Sequence, residues 1–313
     1  MRPASAVHLI INCASGSGTG RELAELAERR CAEAGRQLTI HMPSRPGQLD
    51  QLVPGVVADA AAAGAVIAAA GGDGTVRTVA HHVAGTGAPL AVIPLGTFNF
   101  FARNFAIPEE LEAAVEVMLE GEPRPVDLGE INDQLFLINA SFGLYSALIK
   151  ARERNASRFG RNRLVATATT LLTLMRGYPA LDIELATGAM NQRLRTPMVF
   201  VGNNALQLRA VALDVASCAR HGQLAVVVMD PLGRWGLLRL ALHGLFRMLE
   251  REDALHSFCA DSVTIRYRRR RVEVVMDGER LQLTTPLRFA IRREALSLLV
   301  PPAKRDMPPG EEE

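Results

Sequence analysis

Between residues 7 and 122, short apolar runs alternate with segments of helical length, and this alternation limits the fold more than any other feature of the chain. "VHLIIN" predicts a strand, 20–34 a helix, "QLTIHM" a strand, 47–63 a helix, "AVIAAA" a strand, 75–84 a helix, "APLAVIP" a strand and 108–120 a helix. Strands separated by helices form βαβ units, and successive units of that kind make a mainly parallel, doubly wound sheet. Loops at the carboxyl ends of such strands are where open α/β sheets bind ligands.

After "PRPVDLGEIND" the pattern changes. "QLFLINASF", "LDIELAT", "RTPMVFVGN", "QLAVVVMD", "SVTIRYR", "VEVVMDG" and "PLRFAIR" are β-like runs, several joined by short turns, with helical segments at 158–177 and 233–251 between them. The fold class expected is therefore α/β plus β. A doubly wound nucleotide-binding domain over 1–128 precedes a β-sandwich-like domain with inserted helices over 129–302. The proline-rich, acidic end, 303–313, is expected to be a disordered tail.

The 313 residues suffice for two cores, and a formal net charge of +2 does not mark a bulk nucleic-acid binder. Lys150 and Lys304 are the only lysines, so arginine carries nearly all the positive charge. Cys13, Cys31, Cys218 and Cys259 show no CxxC spacing, which argues against a zinc site and reads as buried apolar residues in a reducing compartment. The apolar run near the N-terminus is too short for a signal peptide, and no segment is long and apolar enough to span a bilayer. A cytoplasmic protein, peripheral at most on the inner membrane face, is the expectation. Whether it forms a homo-oligomer stays open.

Two glycine loops stand out: "NCASGSGTG" after the first strand and "GGDGT" after the third. Glycines let backbone N–H groups approach an anion, and the following helix turns its positive end toward it, so phosphate is the natural ligand. A tight βα turn needs the same glycines, and that plainer reading stands beside it. Neither loop is a P-loop or a GxGxxG fingerprint. In "GGDGT" a carboxylate, Asp73, sits inside the phosphate cradle, a conflict that a bridging Mg2+ would remove.

"GGDGT" at 71–75, "PLGTFNFFARNF" at 94–105 and "MDGER" at 276–280, in this order, resemble the bacterial diacylglycerol kinase catalytic family, which includes relatives of sphingosine kinases. The resemblance runs over nearly the whole chain. It implies an ATP- and Mg2+-dependent kinase that phosphorylates a hydroxyl of diacylglycerol or a related lipid, with the cleft between the two domains. Asn12, Ser15 and Gly16 match the first nucleotide loop, with the usual proline lost, and Ser44 stands where a threonine lies near the nucleotide. Gly71, Gly72, Gly74 and Thr75 match the phosphate loop, Asp73 its metal-organising acid, and Gly96, Thr97 and Asn99 a further nucleotide contact. Glu279 matches the acceptor of the lipid hydroxyl's proton, and Asp127 an acid near the same cleft.

The chain departs from the family at two places. Phe100 stands where an aspartate follows the asparagine, and His221 in "ARHGQL" replaces an acid of a segment that supplies a structural Mg2+ site. An NAD-kinase-like enzyme acting on a soluble nucleotide and a catalytically weak nucleotide- or lipid-binding regulator are the rival readings. Glu279 also reads as a hairpin-turn acid, since Asp-Gly is a turn signal. The arginine clusters at 150–163 and 266–271 read either as solvated faces or as contacts to an anionic bilayer. The amphipathic segment around Trp235 reads either as a packed surface helix or as a membrane contact. His81 and His82 have no assigned role.

Overall fold

A computed structural model of the chain describes residues 6–12, 19–43, 47–144, 180–204, 216–233, 235–237, 239 and 254–302. Ser15, Gly16, Ser44, Cys13, the helix expected over 158–177, the 150–163 arginine cluster and the tail over 303–313 lie outside the described residues, as does most of the segment 233–251. The chain divides into two compact units, Met1–Val126 with Leu296–Glu313, and Asp127–Ala295.

The first unit is the expected doubly wound layer. Strands β1 (Ala6–Ile11), β2 (Gln37–His41), β3 (Val66–Gly71) and β4 (Pro89–Pro94) alternate with helices α1 (Thr19–Glu33), α2 (Gln48–Ala62) and α3 (Asp73–Val83). The strands lie parallel in the order β2-β1-β3-β4. Strand β3, "VIAAAG", is buried at all six positions, as expected of a central parallel strand covered on both faces. Helix α1 buries Leu23, Leu26, Ala27 and Cys31, a spacing that puts one apolar stripe against the sheet.

The structure adds two features to this unit. A short helix, α4 (Phe100–Asn104), precedes α5 (Leu111–Glu120), and the end of the chain returns to the sheet. Strand β16 (Leu287–Val300) pairs in parallel with β4, Ser297 opposite Pro89 and Leu298 opposite Leu90. The second unit therefore gives up residues 296–302 of the expected 129–302. Apolar Leu296, Leu298 and Leu299 near the chain's end are buried in this way.

The second unit is built from antiparallel pairs. One layer joins the first part of β16 to β13 (Ser262–Tyr267), β8 (Leu181–Ala186) and β9 (Asn191–Thr196), with β5 (Glu122–Ile131) and β6 (Gln134–Phe136) beside β16. The other runs β12 (Leu255–Ala260), β11 (Leu224–Met229), β10 (Met198–Gly202), β7 (Asn139–Gly143), β14 (Arg271–Met276) and β15 (Glu279–Thr284). One apolar cluster takes Ile183, Leu185, Ile265 and Phe289 from the first layer and Phe142, Val201, Val226 and Val274 from the second, the core expected of a sandwich.

The cysteine reading needs correction. Cys218, on helix α6 (Ala216–Arg220), is joined to Cys259 on β12 by a disulfide, with the two Cα atoms 5.4 Å apart. Their 41-residue separation contains no motif, because the pairing comes from α6 packing beside β11, whose Ala225 stands opposite Cys259. Cys31 remains a buried thiol. Changing Cys218 and Cys259 together to alanine should lower the stability of the chain by about 2–4 kcal/mol, the usual effect of releasing a closed loop. Denaturant melts of oxidised wild type against the variant check this.

Candidate active site

Three strand ends and the first turn of α3 are tied together in the first unit. Asn12, just past β1, donates its backbone N–H to Ala70 O at 3.0 Å and its side-chain Nδ2–H to Thr75 Oγ1 at 2.9 Å. Gly71 ends β3 where a Cβ would lie 2.6 Å from both Cβ and Oγ1 of Thr75, so the buried threonine admits only glycine there. Helix α3 begins at Asp73, two residues before the expected start, and its first intrahelical bond runs from Val76 N–H to Gly72 O at 3.1 Å. The amides of Asp73, Gly74 and Thr75 thus precede the hydrogen-bonded ladder, the arrangement that suits an anion.

The second loop is locked onto the first. Leu95 N–H donates to Gly71 O at 2.9 Å, and a Cβ on Gly96 would stand 2.7 Å from Gly72 Cα, so the two glycine backbones touch. Asn99, buried and left-handed at φ 47°, closes its own loop. Its Oδ1 accepts from Gly96 N–H at 3.0 Å, and its Nδ2 donates to Gly96 O at 3.0 Å and to Glu109 Oε1 at 3.3 Å.

Asp73 spans both loops. Its Oδ2 accepts from Phe100 N–H at 3.3 Å and its Oδ1 from Phe101 N–H at 3.2 Å, so a residue of α3 caps α4. Burial pushes this carboxyl above the ordinary carboxylate range, against the lowering effect of the Phe101, Phe100 and Asn99 amides. Phe100, the departure from the family pattern, keeps the backbone donor that Asp73 uses and stacks its ring on exposed Phe98, with centroids 5.7 Å apart. Thr97 is exposed at the loop tip.

Each Asp73 carboxylate oxygen faces one amide donor and keeps a further lone pair. Among the described residues no group of three or more His, Cys, Asp or Glu could hold a metal ion. The donor set does not fit a Mg2+ held by the protein alone, whereas contacting glycine backbones beside an open helix start fit phosphate oxygens.

The acids of the second unit lie on a hairpin turn and in an ion-paired clamp. Asp277 and Gly278 form a two-residue turn with φ of 50° and 86°. The Asp277 carboxylate accepts from Leu137 and Ile138 N–H at 2.8 Å and from Asn139 N–H at 3.0 Å. Glu279, opposite Met276 in the hairpin register, is exposed at the start of β15. The turn anticipated from "DG" is therefore present, and its aspartate is the structural anchor that sequence reasoning passed over. Asp127 accepts from Arg293 Nη1–H at 2.7 Å and Glu294 N–H at 2.8 Å, so it is an ion-paired backbone clamp. The structure thus gathers Asn12, Gly71, Gly72, Asp73, Gly74, Thr75, Gly96, Thr97 and Asn99 on adjoining loops of the first unit, with Asp127 and Glu279 in the second.

Strand-end glycine loops followed by a helix in the first unit, and an antiparallel sandwich in the second, define a two-unit α/β plus β chain, and comparison with known proteins gives the family. The Diacylglycerol kinase catalytic domain family matches residues 6–131. A protein of Pseudomonas putida named "Probable lipid kinase YegS-like" is 33% identical over 260 residues, 79% of this chain and 81% of its own length. A protein of the same name from Pseudomonas aeruginosa is 43% identical over 134 residues, and there the chain spans 43% of the relative's length. A crystal structure of a diacylglycerol kinase from Bacillus anthracis str. Sterne shares the fold at a TM-score of 0.71 and 20% identity, over 97% of this chain and 99% of that one. The chain belongs to the diacylglycerol kinase-like family of lipid kinases.

Asp73→Ala should cost about 1–3 kcal/mol of stability, because it leaves the Phe100 and Phe101 amides without their acceptor. Since burial raises the folded-state value, the proton on Asp73 stabilises the fold below the ordinary carboxylate range, and that contribution is lost as pH rises through the raised value. The stability gap between wild type and Asp73→Ala should therefore narrow over that window. Melts of both proteins across acidic pH measure it.

Proposed function

We propose that this chain is an ATP-dependent kinase that transfers the γ-phosphoryl group to a hydroxyl of diacylglycerol or a related lipid. The observation that carries the reading is the back-to-back contact of Gly72 and Gly96, clamped by Asp73, in a member of a lipid kinase family. MgATP, as the substrate, supplies the phosphoryl group and the divalent ion that offsets phosphate charge. The amides at the start of α3 and of Thr97 bind phosphate oxygens, while the Gly96 amide holds Asn99. Asn12 and Asn99 fix the two loops, and Asp73 keeps them at one spacing. Glu279 takes the proton of the attacking hydroxyl on its carboxylate, as a general base does.

Incubation with labelled ATP, Mg2+ and a total lipid extract should label a lipid carrying a free hydroxyl. Phosphate appearing on NAD instead would favour the soluble-nucleotide enzyme, and no transfer to either would favour a regulator. Glu279→Gln should lower kcat by roughly 10^2 or more while leaving ATP affinity and thermal stability near wild type. Collapse of ATP binding in that variant would move Glu279 out of the base role.

A lipid acceptor requires contact with a bilayer, and no helix of the described residues is long and apolar enough to cross one. Exposed Arg268, Arg269, Arg270 and Arg271, from just past β13 to the start of β14, are suited to an anionic surface, whereas Arg266 is paired with Glu184 at 2.9 Å. Each contact there contributes about 1 kcal/mol and fades as salt shortens its reach. Sedimentation with anionic vesicles should fall as salt rises and when Arg268 to Arg271 become glutamine. Equal binding to neutral vesicles at high salt would discard this surface.

A further inference from the structure

The loop "ARHGQL", 219–224, is the segment whose family counterpart supplies a structural Mg2+ site, and the residues present here do not fit a hard divalent cation. His221 is exposed, and its Nδ1–H donates to Ser217 O at 2.9 Å, which turns the ring back along its own helix. An imidazole is also a weak partner for Mg2+. Asp127, the nearby carboxylate, already faces a cation: Oδ2 takes Arg293 Nη1–H at 2.7 Å while Oδ1 takes Glu294 N–H at 2.8 Å.

Gly222 connects the loop to that pair. It is left-handed at φ +65°, and a Cβ there would collide with Arg293 Nη1 and lie 3.1 Å from Asp127 Oδ2. The guanidinium therefore rests directly on the loop backbone beside the carboxylate. Glu294, the next residue, is itself left-handed at φ 45°, and its amide completes the clamp on Asp127. Asn203 Nδ2–H donates to the Asp127 carbonyl at 3.2 Å, which holds the same residue from the strand side.

We propose that Arg293 is a built-in cation of the second unit: its guanidinium neutralises Asp127 and seats the His221–Gly222 turn, so this unit is complete without a divalent metal. A guanidinium keeps its charge throughout the working pH range and presents its donors in a fixed plane, which a bound ion with exchangeable waters does not. The pair is partly exposed, at 56% for Arg293 and 31% for Asp127, so its Coulomb attraction alone is modest. Its weight lies in geometry, since one side chain positions both a carboxylate and a turn. Arg293 is thus a positioning residue acting through Asp127 and Gly222. The inference does not depend on the identity of the phosphate acceptor.

The test uses the full chain without nucleotide. Wild type should melt at the same temperature in EDTA and in millimolar Mg2+, and metal analysis after gel filtration should find no retained ion. Arg293→Met should lower the melting midpoint by about 2–4 °C, and Arg293→Lys should recover part of that loss. Gly222→Ala, which both crowds the guanidinium and strains a left-handed residue, should lower the midpoint by at least as much as Arg293→Met. The double variant Asp127→Asn with Arg293→Met should fall by less than the sum of the single changes, as coupled partners do. A wild-type midpoint that drops in EDTA, a Mg2+ ion retained by the second unit, or strictly additive losses in the double variant would each overturn the proposal. The first two readouts need no variant to fold.

Discussion

The paired glycine loops of the first unit depend on one carboxylate. Asp73 sits at the first position of α3 and accepts the amides that open α4, twenty-seven and twenty-eight residues further along. Burying that charge is unfavourable, and the two amides offset part of the penalty. The pairing holds only if the loops approach closely, which the Gly72–Gly96 contact allows and a side chain at Gly96 would forbid. "GGDGT" and "PLGTFNF" are in this sense two halves of one device, separated in sequence and joined by Asp73.

The same device recurs in the second unit. Asp277 gathers the amides of Leu137, Ile138 and Asn139, and Asp127 gathers the amide of Glu294 together with the Arg293 guanidinium. Asp73 and Asp277 therefore spend their oxygens on backbone donors, and Asp127 divides its oxygens between a backbone amide and a guanidinium. Clamps of this kind tie together segments distant in sequence through backbone groups that would otherwise need other partners. Glu279 stands exposed on a hairpin whose turn Asp277 has already secured.

Period and composition made much of this legible. Strand and helix alternation led to the parallel sheet, because an all-apolar strand such as "VIAAAG" has no solvent face to offer. The second half read as a sandwich because its runs are short and joined by turns. What stayed hidden was set by distant partners: Asp277 meets Leu137 across 140 residues, Arg293 meets Asp127 across 166, and Cys218 meets Cys259 across 41. No local pattern encodes such pairs. Helix α4 escaped notice because its five residues are too few to show a period, and its cap, Asp73, comes from another loop.

The most direct measurement is a crystal structure of the chain with a non-hydrolysable ATP analogue and Mg2+. The account predicts phosphate oxygens on the amides of residues 72–75 and of Thr97, with Asp73 still bonded to the Phe100 and Phe101 amides. A nucleotide bound away from these loops, or an Asp73 carboxylate swung off both amides to ligate the ion, would contradict it.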